Sequence, residues 1–176
     1  RDSSIVKMVK LARAGLADVL ISAGNTGALV AAGVLLLKPL PGVERPGIAV
    51  PIPTATWPVM LCDAGANVQP KPQHLHQYAV LTSLYARAVL KIERPRVAIL
   101  NVGTEEEKGT ALVKETRTLI EADQKLNFIG YVEGRDMFSR PCDVLVTDGF
   151  TGNVVLKVVE GLSASLVQAL RQVAGI

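Results

Sequence analysis

Two glycine-bounded segments carry residues whose types and spacing could bind an anion. Residues 24–27 read Gly-Asn-Thr-Gly and residues 148–153 read Asp-Gly-Phe-Thr-Gly-Asn; each follows a short apolar run and opens a helical pattern. Backbone N–H groups at a helix start, together with the helix dipole, favour an oxyanion or a phosphate. For the first segment the alternative is a tight turn in which Asn25 or Thr26 caps the helix. That segment lacks the lysine of a P-loop, which argues against nucleotide hydrolysis.

The second segment has two further polar features. Asp148 stands at the end of the apolar run, and Lys157 lies one helical turn beyond Asn153, from where its side chain could lean back toward the segment. A lysine there could support a developing oxyanion or a bound phosphate. Two such segments at one edge of a sheet would hold separate anionic parts of a substrate.

Two more polar segments follow apolar runs. Asp63 and Asn67 flank a Gly-containing loop, where they could shape a binding site or form an Asx-type turn. Asp63 and Asp148 could together suggest a divalent cation, but a hard cation needs more oxygen ligands than the sequence assigns, so we predict no metal site. Asn101 opens the other segment, in which three glutamates precede Lys108. The acids could simply favour a helix start, whereas Lys108 is a candidate for contact with phosphate.

The histidines and cysteines give weaker signals. His74 and His76 are two residues apart, so they cannot face one side of a helix as a pair of ligands. His74, near the start of a predicted helix, is the better candidate for proton transfer or contact with a leaving group, against a surface or capping role. Cys62 and Cys142 have no activating neighbour at a recognisable spacing, so we predict buried, unreactive thiols.

The elements that must position these residues alternate between strand and helix. Apolar spacing predicts a first helix from Ile5 that stops near Gly15 and a buried helix over 28–37; residues 38–47 are predicted to form a surface connection. Further helices are predicted over 73–90, up to about 122, and from 153 onward. Short apolar runs predict strands at 18–22, 48–53, 59–63, 96–101, 127–132 and 142–148.

This alternation predicts an α/β fold with a mainly parallel sheet and helices on both faces, formed as a single region over residues 1–176. Ligands bind such sheets at the carboxyl ends of the strands. Because all four polar segments follow strands, we expect them to line one edge of the sheet.

Composition agrees with that fold. Of 176 residues, 49% are hydrophobic, 20% charged and only 4% aromatic, which suits buried parallel strands and not a surface that stacks nucleic-acid bases. The net charge of +3 is too small to identify a partner. No apolar run reaches 18 residues, and the longest candidate, residues 28–37, is too short to span a membrane. Without a secretion signal and with two separated cysteines, a reduced cytoplasmic protein is expected.

Four motifs together resemble those of the PlsX-type phosphate acyltransferases. They are Ser22-Ala-Gly-Asn-Thr-Gly-Ala-Leu29, Asp63-Ala-Gly-Ala-Asn67, Asn101-Val-Gly-Thr-Glu-Glu106 with Lys108-Gly109, and Val146-Thr-Asp-Gly-Phe-Thr-Gly-Asn-Val-Val-Leu-Lys157. The resemblance extends over nearly the whole chain in the family's order, and the last motif is the most specific.

The resemblance implies an acyltransferase that forms an acyl phosphate from acyl carrier protein thioester and inorganic phosphate, in fatty acid and phospholipid synthesis. It implies a fold like that of the isocitrate and isopropylmalate dehydrogenases and the phosphotransacetylases, a homodimer and no organic cofactor. It also implies a cytoplasmic protein whose full-length form associates peripherally with the membrane. Family members begin with a strand and an Asp-x-Met-Gly-Gly-Asp motif and end in an apolar helical region and a His-Gly segment, so the chain is expected to be a central piece.

The site residues carried over from these motifs form two groups. The expected catalytic residues are Lys108, Lys157 and His74. The expected substrate contacts are Gly24, Asn25, Thr26, Gly27, Asp63, Asn67, Asn101, Asp148, Gly149, Thr151, Gly152 and Asn153.

Three other functions stay open. A phosphate acetyl- or butyryltransferase would share the phosphate site but use an acyl coenzyme A. An oxidoreductase of the isocitrate dehydrogenase type would need a nicotinamide site and a richer carboxylate cluster, neither of which the sequence offers. A truncated chain that keeps the fold without turnover is the third.

Overall fold

The computed structural model describes residues 3–139 and 141–175. The chain divides into two compact units, Arg1–Gly47 and Ile48–Ile176. The single region expected from the sequence stays a prediction, and each unit is described by itself.

The first unit contains a capped helix and a second, two-part helix. Helix α1 spans Ser4–Arg13, and the side chain of Ser3 accepts a hydrogen bond from the N–H of Val6. Gly15 follows with φ of +71°, a left-handed conformation that glycine adopts readily at a helix end. Helix α2 spans Thr26–Ala32 and continues as a π-helical segment over Gly33–Leu37. The predicted start and stop of the first helix are confirmed.

Two predictions for this unit are wrong. Residues 18–22 form no strand, and Val19 and Ile21 are 75% and 88% exposed. A strand needs a hydrogen-bonded neighbour, and no strand is described in this unit to pair with the apolar run. Residues 28–37 are helical as predicted but not buried, since Leu35 is 75% exposed and only Ala32 is buried.

The second unit is a five-stranded sheet with three helices. The strands are β1 (Ala49–Ile52), β2 (Val59–Cys62), β3 (Arg96–Asn101), β4 (Asn127–Glu133) and β5 (Val144–Val146), and the helices are α3 (Pro72–Ala88), α4 (Ala111–Ala122) and α5 (Gly149–Ala174). Their order in the sheet is β1-β2-β5-β3-β4. β1 pairs antiparallel with β2, and the other neighbours pair in parallel. The mainly parallel sheet is therefore confirmed, with one antiparallel edge strand.

Alternate side chains of the sheet enter two separate cores. Val144 and Val146 of β5 pack into one core with residues of α3 and α4, such as Tyr78 and Ile120. Leu145 enters the other core, against which the first turns of α5 pack. This alternation follows from the two-residue period of a strand, and it confirms the predicted helices on both faces.

β5 and β3 lie side by side, but the helices that follow them cover opposite faces of the sheet. α4 follows β3 on the face covered by α3, whereas α5 follows β5 on the other face. Such a point, where neighbouring connections diverge, opens a crevice at the carboxyl ends of the two strands.

α5 begins earlier than predicted. It begins at Gly149 and not at Asn153, because Asp148 caps it and the Gly-Phe-Thr-Gly segment forms its first turn. From Glu160 onward the helix is exposed and carries apolar side chains as far as Val173. Within the described residues it is the one helix long and apolar enough to cross a membrane, so the expectation that residues 28–37 are the longest candidate is wrong. Length and composition alone are weak grounds for a span, because core helices of soluble proteins meet the same criterion.

Candidate functional site

A cavity of about 290 Å³ lies at the carboxyl ends of β3 and β5, where the two chain connections diverge. Its wall is formed by the ends of both strands, the loop after β3, the first turns of α4 and α5, and one side chain of α3. The lining residues are Leu75, Ile99, Leu100, Asn101, Val102, Gly109, Thr110, Leu112, Val113, Gly134, Thr147, Asp148 and Thr151. The structure thus brings two of the predicted segments, those that begin at Asn101 and at Asp148, to one edge.

The cavity wall combines an apolar side with a polar side. Leu75, Val102 and Leu112 contribute aliphatic surface, and Thr110 and Asp148 are among the polar residues. Such a wall suits a ligand with an apolar body and one polar reacting group.

The amino end of α4 presents backbone donors at this cavity. Thr110 caps the helix, and its hydroxyl accepts a hydrogen bond from the N–H of Val113 at 3.4 Å. Among the described residues, none accepts a hydrogen bond from the N–H of Ala111 or Leu112, and the first turn has no acidic residue. Open amides in a helical turn that has no acidic residue make this helix end a better place for an anion than the start of α5, which carries Asp148.

The amino end of α5 is already occupied by protein acceptors. The Asp148 carboxylate accepts from the N–H of Thr151 at 2.9 Å and from its hydroxyl at 2.7 Å. The N–H of Gly149 donates to the carbonyl of Asn67 at 2.8 Å, and that of Gly152 donates to the carbonyl of Asp148 at 2.9 Å. The segment predicted to bind an anion therefore uses most of its donors internally and carries a carboxylate where the anion would lie.

Asp63 organises the loop between β2 and α3. It is fully buried, and its Oδ1 accepts from the N–H groups of Ile48 at 3.1 Å, Gly65 at 3.1 Å and Ala66 at 2.9 Å. Its Oδ2 accepts from the backbone N–H of Asn67 at 2.8 Å and from the side-chain amide at 3.0 Å. A carboxylate that accepts this many hydrogen bonds serves as a structural anchor, in agreement with the Asx-type alternative.

Glycines in α5 let its first turn pack directly on the Asp63 loop. A Cβ on Gly152 would lie 1.8 Å from the carbonyl oxygen of Asp63, and one on Gly149 would lie 2.7 Å from that of Asn67. A Cβ on Gly65 would lie 3.4 Å from the side chain of Asn153. The structure thus gives Gly149 and Gly152 a packing role that the sequence pattern alone did not separate from ligand binding.

Asn101 holds the loop that precedes α4. Its side-chain amide donates to the carbonyls of Gly103 at 3.0 Å and Lys108 at 3.3 Å. A Cβ on Gly109, whose φ is +92°, would lie 2.4 Å from the Asn101 Oδ1. These contacts fold the loop back on the end of β3 and keep its glycine against the cavity.

The three expected catalytic residues are not among the lining residues of this cavity. The Lys157 ammonium pairs with Glu160 at 2.8 Å, so the side chain points along the helix and does not lean back toward Asn153. His74 is buried, and its Nδ1 accepts from the N–H of Lys71 at 3.0 Å, which gives it the capping role considered as its alternative. Lys108 is exposed, with its ammonium 3.8 Å from Glu105. Their catalytic roles stay predictions.

The segment Gly24–Gly27 lies in the first unit. The side chain of Asn25 accepts from the N–H of Ala28 at 3.0 Å, and the N–H of Gly24 donates to the Ser22 hydroxyl at 3.1 Å. Asn25 is thus the ordinary cap considered as its alternative. Contact of Gly24, Asn25, Thr26 or Gly27 with substrate stays a prediction.

Both thiols are free and buried. Burial raises the pKa of Cys62 and of Cys142 to about 12 in each case. A thiol is nucleophilic as its thiolate, so the prediction of unreactive cysteines agrees with the structure.

Two polar lining residues were missed by the sequence analysis, as was the aliphatic wall of Leu75, Val102 and Leu112. Thr110 lies directly after Gly109, and a threonine three residues before Val113 at the start of an apolar helical pattern is a capping signal that could have identified it. Thr147 continues the pairing of β2 with β5, since its N–H donates to the carbonyl of Cys62 at 2.7 Å. No local pattern distinguishes Thr147 from the rest of its strand.

Comparison with known proteins gives a consistent set of relatives. The sequence model described as "Fatty acid synthesis protein" matches residues 1–174. The chain is 50% identical over 173 residues to the phosphate acyltransferase of Bacillus licheniformis, covering 97% of this chain and 52% of that protein. It is 51% identical over 174 residues to the phosphate acyltransferase of Myxococcus xanthus, covering 98% of this chain and 49% of that protein. The chain spans about half the length of the curated relatives it matches.

Solved structures share the fold at low sequence identity. A phosphotransacetylase from Staphylococcus aureus aligns with a TM-score of 0.66 at 20% identity, covering 91% of this chain and 56% of that one. A branched-chain phosphotransacylase from Enterococcus faecalis aligns with a TM-score of 0.62 at 18% identity, covering 89% and 63%. These likenesses confirm the predicted fold class.

Proposed function

Because this chain belongs to the fatty acid synthesis protein family, we propose that it is a phosphate acyltransferase whose reaction takes place in the cavity between β3 and β5. The observation that carries this proposal is the pairing, in one cavity, of an aliphatic wall with the open amides at the start of α4. Phosphate or the developing oxyanion would lie at those amides, and the acyl group would lie against Leu75, Val102 and Leu112.

The proposed reaction does not require a side chain as nucleophile or as general base. Phosphate is already a nucleophile at neutral pH, so one of its oxygens attacks the thioester carbonyl carbon and forms a tetrahedral oxyanion. Collapse of that intermediate breaks the carbon–sulfur bond, giving an acyl phosphate and a thiolate. Holding phosphate in line and stabilising the oxyanion with fixed N–H donors are the two contributions required of the protein.

We propose acyl carrier protein as the carrier of the thioester, on the basis of the motif resemblance. Acyl coenzyme A is the rival, because it would need the same phosphate site. The deciding measurement is the rate of phosphate-dependent acyl-phosphate formation from acyl carrier protein and from coenzyme A thioesters of the same acyl chain. The full-length phosphate acyltransferase of Bacillus licheniformis serves as a reference assayed beside this chain. A faster reaction with the coenzyme A thioester would overturn the choice of carrier, and no reaction with either thioester in a folded sample would overturn the activity of this chain.

The placement of phosphate at α4 is tested by a charge at the first helical residue. Ala111 is exposed, so Glu fits there without steric conflict, and a carboxylate at a helix start does not weaken the helix. We expect Ala111→Glu to raise the KM for phosphate about tenfold through charge repulsion, and Ala111→Gln, its neutral match in shape, to leave it within about twofold. Equal KM values for the two variants would remove phosphate from this helix end.

We further propose a cytoplasmic homodimer in which a second copy covers the exposed apolar side of α5. Exposed apolar residues recur there at intervals of four, which makes each the surface neighbour of the next: Val154, Val158, Leu162, Leu166 and Leu170. Sedimentation of the chain and of its Leu162→Asp variant tests this, with a dimer expected for the first and a monomer for the second.

Peripheral membrane association of the full-length protein is a separate proposal, tested by flotation with anionic vesicles. If the dimer floats with the vesicles, the surface that binds the membrane differs from the surface that forms the dimer.

A further inference from the structure

A second cavity, of about 610 Å³, lies at the amino-terminal edge of the same sheet, opposite the edge that holds the candidate site. It is bounded by the second half of α3, residues 93–95 before β3, and residues 123–127, which lead into β4. Its volume falls within the range of small-molecule sites in proteins, roughly 300–1,000 Å³. The proposed acyltransferase reaction uses none of these residues.

The wall of this cavity is apolar, with a rim that carries more free positive than negative charge. Val80, Leu84, Pro95 and Leu126 form the apolar part, and the cations are Arg87, Arg94 and Lys125. Among the described residues, no carboxylate forms an ion pair with any of these three cations.

The two acids at the rim do not neutralise it. Asp123 already pairs with His76 at 3.0 Å and accepts from the N–H of Lys125 at 3.1 Å. The rim therefore has three cations against two carboxylates, and Lys125 also interacts electrostatically with Asp123. The surplus of positive charge, centred on Arg87 and Arg94, favours a negatively charged ligand.

Ser83 supplies an independent sign of a missing partner. It lines the cavity and is only 7% exposed, and its hydroxyl has no hydrogen-bond partner among the described residues. A buried hydroxyl without a partner is costly, and it is rare in folded proteins. Because Ser83 lines the cavity, a ligand oxygen there is a candidate acceptor for this hydroxyl.

We propose that this cavity binds an amphipathic organic anion, with a carboxylate or phosphate head and an apolar body. The head lies between Arg87, Arg94 and Lys125 and accepts the Ser83 hydroxyl proton in a hydrogen bond. The body lies against Leu84 and Leu126. Three charged contacts and one buried hydroxyl beside an apolar wall give selectivity for such a ligand over a neutral one of the same shape.

The test is a titration of the ¹⁵N-labelled 176-residue chain followed by NMR. Decanoate and decyl phosphate are the two probes, used below their micelle-forming concentrations, with decanol as the neutral match and inorganic phosphate as the head alone. We expect saturable shifts of the Ser83, Leu84 and Leu126 amides with at least one anionic probe, and a dissociation constant about tenfold weaker for decanol. The stronger of the two anionic probes identifies the head group. Inorganic phosphate shifts at Ala111 and Leu112 report on the proposed catalytic site, so the two proposals succeed or fail separately.

Variants localise the binding. Arg94→Gln and Ser83→Ala should each weaken binding of the better probe about tenfold, because each removes one charged or buried hydrogen bond. Arg171→Gln, a change at an exposed arginine near the end of α5, should leave the dissociation constant of the probe within about twofold. Lys125→Gln replaces Arg94→Gln if the latter spectrum shows loss of fold. Absence of saturable shifts at concentrations up to about 1 mM, equal affinity for decanol, or shifts confined to α5 would overturn the proposal.

Discussion

At the scale of single residues, most polar side chains of the family motifs already form hydrogen bonds within the protein. Asp63 anchors its own loop and Asp148 caps α5. Asn101 folds the loop after β3. Such internally satisfied groups create a rigid edge on which the few remaining donors, the amides of Ala111 and Leu112, are held in place.

Gly152 gives a direct test of how closely these segments pack. We expect Gly152→Ala to lower the free energy of unfolding by about 3 kcal/mol or more, because its Cβ would lie 1.8 Å from the Asp63 carbonyl, where only backbone movement relieves the clash. Gly161→Ala is the matched control in the same helix, since a Cβ there meets nothing within 4 Å. That variant should gain roughly 0.5 to 1 kcal/mol from helix propensity. Urea unfolding gives the free energy of unfolding of both variants. Similar changes in the two would contradict the close contact between Gly152 and the Asp63 loop.

The cysteines give a second prediction at this scale. Replacing Cys62 and Cys142 together by Ala should preserve most acyl-phosphate formation, because burial raises both thiol pKa values to about 12 and leaves no thiolate at neutral pH. Activity should be normalised to the folded fraction measured by circular dichroism. A loss of several orders of magnitude in a folded protein would revive a covalent acyl-cysteine route.

At the scale of elements, the sequence patterns were reliable where burial enforces them. β2, β3 and β4 begin within one residue of their predicted starts, because their apolar runs enter two cores at once. Residues 18–22 have an equally apolar composition but no strand neighbour, and strand formation depends on pairing that one sequence segment does not reveal. The start of α5 was placed too late, because Gly-Phe-Thr-Gly has loop-like composition and only the Asp148 cap makes it helical.

The contact between His76 and Asp123 joins α3 to the end of α4 and predicts a pH dependence. Hydrogen bonding, first from the N–H of Lys125 and then from His76, lowers the pKa of Asp123 below its ordinary 3.8. A lowered folded-state pKa contributes stability that is present above 3.8 and is lost as the pH falls through the lowered value. Asp123→Asn should therefore lower the urea midpoint at pH 7. The difference in midpoint between the variant and the unchanged chain should shrink toward zero at about pH 2. Asp18→Asn, at an exposed carboxylate, is the control. A difference that persists at acid pH would show that Asp123 acts through packing and not through its charge.

At the scale of the whole molecule, the site could be located more firmly than its residues could be assigned. The rule that ligands lie at the carboxyl ends of parallel strands placed the segments after Asn101 and Asp148 correctly, since both line one cavity. The rule does not say which donors stay open, and that depends on contacts such as the bond from Gly149 to Asn67, which joins residues far apart in the chain. The order of β5 between β2 and β3, which creates the crevice, is likewise a long-range feature that no local pattern contains.

The two units should differ in their resistance to opening. Within the described residues of the first unit only Val9 and Ala32 are buried, whereas β2, β3 and β5 of the second unit are buried almost throughout. Because burial of apolar surface supplies most of the free energy that opposes local opening, we expect the amides of α1 and α2 to exchange with solvent at least about a hundredfold faster than those of β3. Hydrogen–deuterium exchange with peptide-level mass spectrometry measures both units in one sample, and α5 beyond its first turns serves as an internal reference, since it is helical but exposed. Exchange in α1 as slow as in β3 would contradict this prediction, because the burial within the first unit does not account for such protection.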